Sequence, residues 1–239
     1  MTGLRISHVS HDWGARRALD NVGFAVAAGQ FCALLGPNGA GKSTLFGLLT
    51  GLISPRAGRI EVAGHDIARA PRAALAATGA VFQAPTLDLD LTVMRNMLYF
   101  AGLHGMLGRS ARVAAAAALD RLGMAERSHE RARELNGGHR RRLEIARALM
   151  HGPRVLLLDE PTVGLDVHSR VELVAHVRGL VRESGLAVLW ATHLTDEVCA
   201  GDHLVVLHRG RVLQAGPATA TGGALTAQFL RLTGERQAA

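Results

Sequence analysis

Phe31-Cys32-Ala33-Leu34-Leu35-Gly36-Pro37-Asn38-Gly39-Ala40-Gly41-Lys42-Ser43-Thr44-Leu45-Phe46-Gly47-Leu48-Leu49 is the stretch that decides the fold. Its first five residues read as a buried strand, Leu45–Leu49 read as a helix, and a glycine-rich loop joins them. The spacing Gly36-x4-Gly41-Lys42-Ser43 is that of a P-loop, whose inward N–H groups surround phosphate oxygens while the helix after it presents its positive end. Glycines let the backbone approach that closely. A compact ammonium reaches between the β- and γ-phosphates, where a planar guanidinium is bulkier. Composition singles out the same position: 26 of the 27 basic residues are Arg, and Lys42 is the only Lys. The loop implies a nucleoside triphosphate and Mg2+.

Farther along, Arg154-Val155-Leu156-Leu157-Leu158 reads as a buried strand of a parallel sheet and ends in Asp159-Glu160-Pro161-Thr162. Sites in α/β sheets lie at the carboxyl ends of strands, so these carboxylates fall where chemistry is expected. Asp159 would hold Mg2+ and Glu160 would polarise the attacking water as a general base. Leu186–Thr192 reads as another strand and ends at His193. One of 12 histidines, His193 gains meaning only from this context.

Composition bounds the rest. At 239 residues, with 48% hydrophobic and 20% charged, the chain suits one globular domain with an insertion. The net charge of +7 is spread along the chain, only Arg140-Arg141-Arg142 forms a run, and Tyr99 is the sole Tyr, so a specific nucleic-acid partner is not expected. Cys32 and Cys199 are too few for a disulfide scaffold or a metal site. Apolar runs such as Val113–Leu119 fall short of the roughly 18–20 residues that span a bilayer, and Met1–His8 shows no secretory pattern. A cytoplasmic location is the expectation.

Six elements occur in a fixed order: Gly36–Thr44, Val81-Phe82-Gln83, Leu135-Asn136-Gly137-Gly138-His139, Asp159-Glu160-Pro161-Thr162, Gly164-Leu165-Asp166 and Thr192-His193. In this order the chain resembles the ATP-binding cassette (ABC) ATPases from about Ile6 to Gln214. The resemblance implies an α/β fold: a P-loop NTPase core of mainly parallel sheet flanked by helices, an antiparallel β edge near the amino terminus, and an inserted helical subdomain. Residues 1–86, expected to begin with short strands, and 151–214 would form the core, 88–150 the helical part, and 215–239 a short tail with a helical pattern at Leu225–Leu232 and no room for a regulatory domain. ATP and Mg2+ would be the cofactors. Gly36, Pro37, Asn38, Gly39, Ala40 and Gly41 would cradle the phosphates, with Lys42 on the β- and γ-phosphates, Ser43 on Mg2+ and Thr44 on the α-phosphate. Gln83 would touch Mg2+ or the lytic water, and His193 the γ-phosphate. Trp13 takes the place of an aromatic that stacks on adenine, and a core role for it stays open. Asp166 would sit at a dimer interface. Gly137-Gly138, at the start of a helix Arg140–Leu149, would face the γ-phosphate of the opposite subunit, so that a head-to-tail homodimer sandwiches two ATP molecules.

The interface motif departs from the family's usual Leu-Ser-Gly-Gly-Gln, with Asn136 for Ser and His139 for Gln. The Asn136 amide can still donate to a phosphate, and a protonated His139 would make the interface pH-sensitive. Arg140-Arg141-Arg142 fits either support of the anionic site or a solvated helix face. Leu87–Phe100 occupies the region that, in such transporters, receives a short helix of the membrane subunit. Thr86-Leu87-Asp88 and Leu91-Thr92-Val93 look most like ATPase subunits of drug or polysaccharide exporters. The resemblance therefore implies a separately encoded multi-span permease docking near Gln83–Phe100, with this chain peripheral on the cytoplasmic membrane face. A soluble ABC ATPase of iron–sulfur cluster assembly is the alternative. A DNA-repair head is disfavoured because only 52 residues separate Gln83 from Asn136, too few for a long coiled coil.

Overall fold

A computed structural model describes residues 2–234. Met1 and residues 235–239, the ends of the expected core and tail, lie outside the described residues. In chain order the first half contains β1 (Thr2–Trp13), β2 (Arg16–Ala27), β3 (Phe31–Leu35), α1 (Lys42–Leu49), β4 (Ala57–Val62), β5 (His65–Asp66), α2 (Pro71–Ala76) and β6 (Thr78–Val81). The second contains α3 (Val93–Leu103), α4 (Gly108–Arg121), α5 (Gly137–Leu149), β7 (Val155–Asp159), α6 (Val167–Ser184), β8 (Ala187–Thr192), β9 (His203–His208), β10 (Arg211–Pro217) and α7 (Gly222–Thr233).

The strands form two sheets. An antiparallel one, ordered β2-β1-β4-β5, takes the amino-terminal strands. The other, ordered β10-β9-β3-β8-β7-β6, is parallel from β9 through β6, with β10 antiparallel at its edge. Every residue of β3, β7 and β8 is buried, as expected for parallel strands covered on both faces. Alternation within them assigns the faces. Phe31, Ala33, Leu35, Leu156, Leu158, Val188 and Trp190 pack toward α3–α6, while Cys32, Leu34, Leu157, Leu189 and Ala191 pack toward α1 and the antiparallel sheet.

Register makes this arrangement functional. Leu35 pairs with Thr192, Asp159 with Ala191 and Val81 with Leu158, so the ends of β3, β8, β7 and β6 are level. The segments that follow those ends carry the P-loop, His193, Glu160 and Gln83 along one edge, at the carboxyl ends of the parallel strands.

Three local expectations are corrected. β1 and β2 are not short: each has 12 residues, and register shifts between them let so long a hairpin keep its apolar face inward. Helix α5 starts at Gly137 rather than Arg140, because the Asn136 side-chain oxygen Oδ1 accepts the His139 N–H at 2.8 Å as an N-cap and draws both glycines into the first turn. In the carboxyl-terminal segment, α7 begins three residues before Leu225.

Candidate active site

Local sequence chemistry fixes the P-loop. Gly41 has φ 113°, and a Cβ there would lie 2.8 Å from Leu19 Cδ2 and 2.9 Å from the Ala18 carbonyl oxygen. At Gly36 a Cβ would stand 2.4 Å from the Leu207 carbonyl oxygen, so the loop rests directly on β9 backbone. The turn between β9 and β10 closes the other side, where the Gly210 N–H donates to the Ala40 carbonyl at 2.8 Å.

Lys42 is 5% exposed. Its Nζ donates to the carbonyls of Gly36 at 2.6 Å and Pro37 at 3.2 Å, and lies 3.0 Å from Glu160 Oε1. His193 Nδ1 is 3.4 Å from the other carboxylate oxygen of Glu160. Glu160 itself holds left-handed backbone, φ 46°, in a turn pinned by its N–H to the Ala191 carbonyl. Such strain in a non-glycine residue costs of order 1–3 kcal/mol and persists where the surroundings impose it. One buried carboxylate helps impose it. Glu197 accepts from Thr162 Oγ1, two residues beyond Glu160, and from Trp190 Nε1 at 2.8 Å, three residues before His193.

Burial pushes the Asp159 carboxyl up to about 6, the neighbouring Glu160 adds to this, and Lys42 and Arg141 oppose it. A cation beside Asp159 would favour its ionised form. Ser43, Gln83 and Asp159 offer only hard oxygen donors, the set that Mg2+ takes together with phosphate and water. The residues therefore fit that ion.

A cleft of about 550 Å³ contains Trp13, Pro37, Asn38, Gly39, Gly41, Lys42, Ser43, Thr44, Gln83 and Glu160 on its walls. Trp13 is 54% exposed, so it is no core residue. Its Nε1–H donates to Thr44 Oγ1 at 3.3 Å and its ring meets His11 edge-on, which fixes an indole face on the cleft. Three arginines absent from the sequence expectations also line the cleft, Arg16 and Arg17 at the start of β2 next to the β1–β2 turn and Arg209 from the β9–β10 turn. Their signal was present as charge, but the pairing that brings two turns to the P-loop is long-range.

Asn136, Gly137, Gly138, His139 and Asp166 do not line this cleft. They form a second group, in which Asp166 caps α6 through the Ser169 N–H at 2.9 Å and the Ser169 side chain sits against Gly138. The arginine run resolves into structural contacts. Arg140 donates to the carbonyls of Ala132 and Arg133, Arg141 to that of Phe82, and Arg142 pairs with Glu172. Burial, with Arg127 and Arg142 nearby, pushes the His139 imidazole below its ordinary value, against the expectation of a cationic interface.

The family described as ABC transporter matches residues 19–163. The chain belongs to the ABC transporter family. It is 38% identical to the daunorubicin resistance ATP-binding protein DrrA3 of Streptomyces coeruleorubidus, across all of this chain and 77% of that protein. To the Nod factor export ATP-binding protein I of Rhizobium johnstonii it is 37% identical, over 89% of this chain and 68% of the relative. Among solved structures, cbiO1 of Clostridium perfringens, part of the ABC transporter complex cbiONQ, superposes with a TM-score of 0.82 at 29% identity, covering 90% of this chain and 88% of that one. An ATP-binding cassette in its ADP conformation gives 0.79 at 27% identity, with coverage of 91% and 92%. This ABC transporter chain is accordingly an ATP-binding and ATP-hydrolysing subunit of the exporter type. No helix among the described residues is long and apolar enough to cross a membrane.

Proposed function

We propose that the chain works as a head-to-tail homodimer that closes on two ATP molecules and drives a separately encoded multi-span permease. The carrying observation is the division of its site residues. Lys42, Glu160, Gln83 and Trp13 share one cleft, while the Asn136–His139 turn and Asp166 lie outside it, so one chain supplies two unlike halves of a site. In this reading Trp13 stacks on adenine and Lys42 leaves Glu160 to meet the β- and γ-phosphates. That exchange frees the Glu160 carboxylate to take a proton from the water attacking the γ-phosphorus. His193, 3.4 Å from Glu160, holds the γ-phosphate and that water in line. Mg2+, held by Ser43, Asp159 and Gln83, would neutralise the charge developing on the phosphates. Gly137 and Gly138 N–H groups at the start of α5 would complete the partner's site.

The permease would dock near Gln83–Phe100. Leu89 at 43% and Tyr99 at 63% exposed put apolar side chains on the surface within that segment, and Leu103 at 65% follows one helical turn after Tyr99 on α3. Relatives named for daunorubicin resistance and Nod factor export support a drug or polysaccharide-type exporter, with this chain peripheral on the cytoplasmic face. The test is a tagged Glu160→Gln variant trapped with ATP and recovered from detergent-solubilised cells. Removing the base keeps binding and slows turnover, so the closed complex accumulates. A multi-span protein recovered in equal amount supports the proposal. Recovery of soluble cluster-assembly proteins alone overturns it in favour of the iron–sulfur role.

A further inference from the structure

Helix α5 carries Arg141, Glu144 and Arg147 at intervals of three residues, on one face, and each is buried: 7%, 3% and 5% exposed. Apolar residues of similar volume would satisfy packing there without the desolvation cost of ions, so stability alone does not explain a buried triad. Their partners do. Arg141 donates to the Phe82 carbonyl at 2.8 Å, to the Gln83 carbonyl at 3.3 Å and to Glu144 at 2.8 Å. Glu144 accepts the Thr86 N–H at 2.8 Å and its hydroxyl at 3.3 Å. Arg147 donates to the Thr86 carbonyl at 2.9 Å and to the Thr86 hydroxyl, and its guanidinium lies 3.7 Å over the Phe100 ring of α3. Residues 82–86, irregular backbone around Pro85, thus have the carbonyls of Phe82, Gln83 and Thr86 and the Thr86 N–H met by one helix face.

We propose that Arg141, Glu144 and Arg147 are positioning residues for Gln83, clamping its loop to α5 so that Gln83 and the Asn136–Gly138 turn at the head of that helix move as one body. The clamp rests on the ATP-sandwich reading above. It joins a group of one subunit's own cleft to the turn offered to the opposite subunit. Arg141 stands one helical turn from that junction. Through Phe100 the same clamp reaches the segment assigned to the permease.

The test is a double-mutant cycle on ATP turnover by the purified chain, read as phosphate release, with Gln83→Ala, Glu144→Gln and the pair. Glu144→Gln keeps the shape and loses one acceptor. It should lower kcat about tenfold, as a displaced reacting group does, with KM for ATP within about twofold. In that background Gln83→Ala should change kcat by less than about twofold, because the misplaced side chain no longer contributes. Losses that multiply independently overturn the proposal, as does a lowered Tm with unchanged kcat per folded molecule. Thr86→Val, a surface change that removes one hydroxyl shared by Glu144 and Arg147, should show the same coupling in milder form, and independence there also overturns it. A parent chain whose ATP turnover ignores Glu160→Gln would overturn the sandwich reading and the clamp with it. Turnover that needs Glu160 together with independent Gln83 and Glu144 effects sinks the clamp alone.

Discussion

Asn136 shows how one side chain serves two ends. Its oxygen is committed to the His139 N–H, which turns the amide NH2 away from the helix and leaves it to donate elsewhere. Serine would do both jobs with one hydroxyl. Asn136→Ala should therefore lower unfolding free energy by about 1 kcal/mol in a denaturant titration and depress ATP turnover, while Asn136→Ser keeps both. His139 makes a different point. Its folded pKa lies below the ordinary 6.5 because burial and two arginines disfavour the cation. The unfolded chain then binds the proton more readily, so this group's contribution is fully present above pH 6.5 and is lost as pH falls toward the folded value. ATP turnover of the parent and of His139→Gln should accordingly superimpose above the ordinary imidazole value, between pH 7 and 8. An inflection present only in the parent would show that the imidazole titrates at the interface.

Among elements, the turn after β7 and the end of β8 act as one unit because Glu197 bridges them. Its carboxylate, 3% exposed, has two neutral donors, Thr162 and Trp190. Glu197→Ala leaves both buried and unmatched at about 1–3 kcal/mol each, and should lower Tm and kcat together because the Glu160–His193 spacing is released. Glu197→Gln keeps one acceptor and should recover part of each. The same elements show what a sequence discloses. The strand–loop–helix at Phe31–Leu49 and the carboxylates after Leu158 were legible because local period and short spacing carry them. The Trp13–Thr44 contact, the arrival of Arg16, Arg17 and Arg209, and the direction of each guanidinium in Arg140–Arg142 were not. Each depends on pairing between segments far apart in the chain, and the order β9-β3-β8-β7 follows no local rule. The downward push on the His139 imidazole was hidden for a related reason: its neighbour Arg127 comes from another part of the helical block.

At the scale of the whole molecule, the separation of the two residue groups makes a claim that neither group makes alone. If each site joins the P-loop of one chain to the Asn136–Gly138 turn of another, a Lys42→Ala homodimer and a Gly138→Asp homodimer are both inactive, each with two damaged sites. A side chain at Gly138 would be crowded, since a Cβ there would stand 3.0 Å from Ser169 Oγ, and an added carboxylate would repel phosphate. In a mixed dimer the two lesions fall in the same site, and the other site is intact. Random association puts half the molecules in mixed dimers with one good site of two, so mixing the inactive proteins in equal amounts should restore about a quarter of parental phosphate release. Sites built within one chain would gain nothing from mixing. The restored activity should also fall as the square of concentration once dilution drops below the dimerisation constant, which separates a true composite site from revertant or contaminating ATPase.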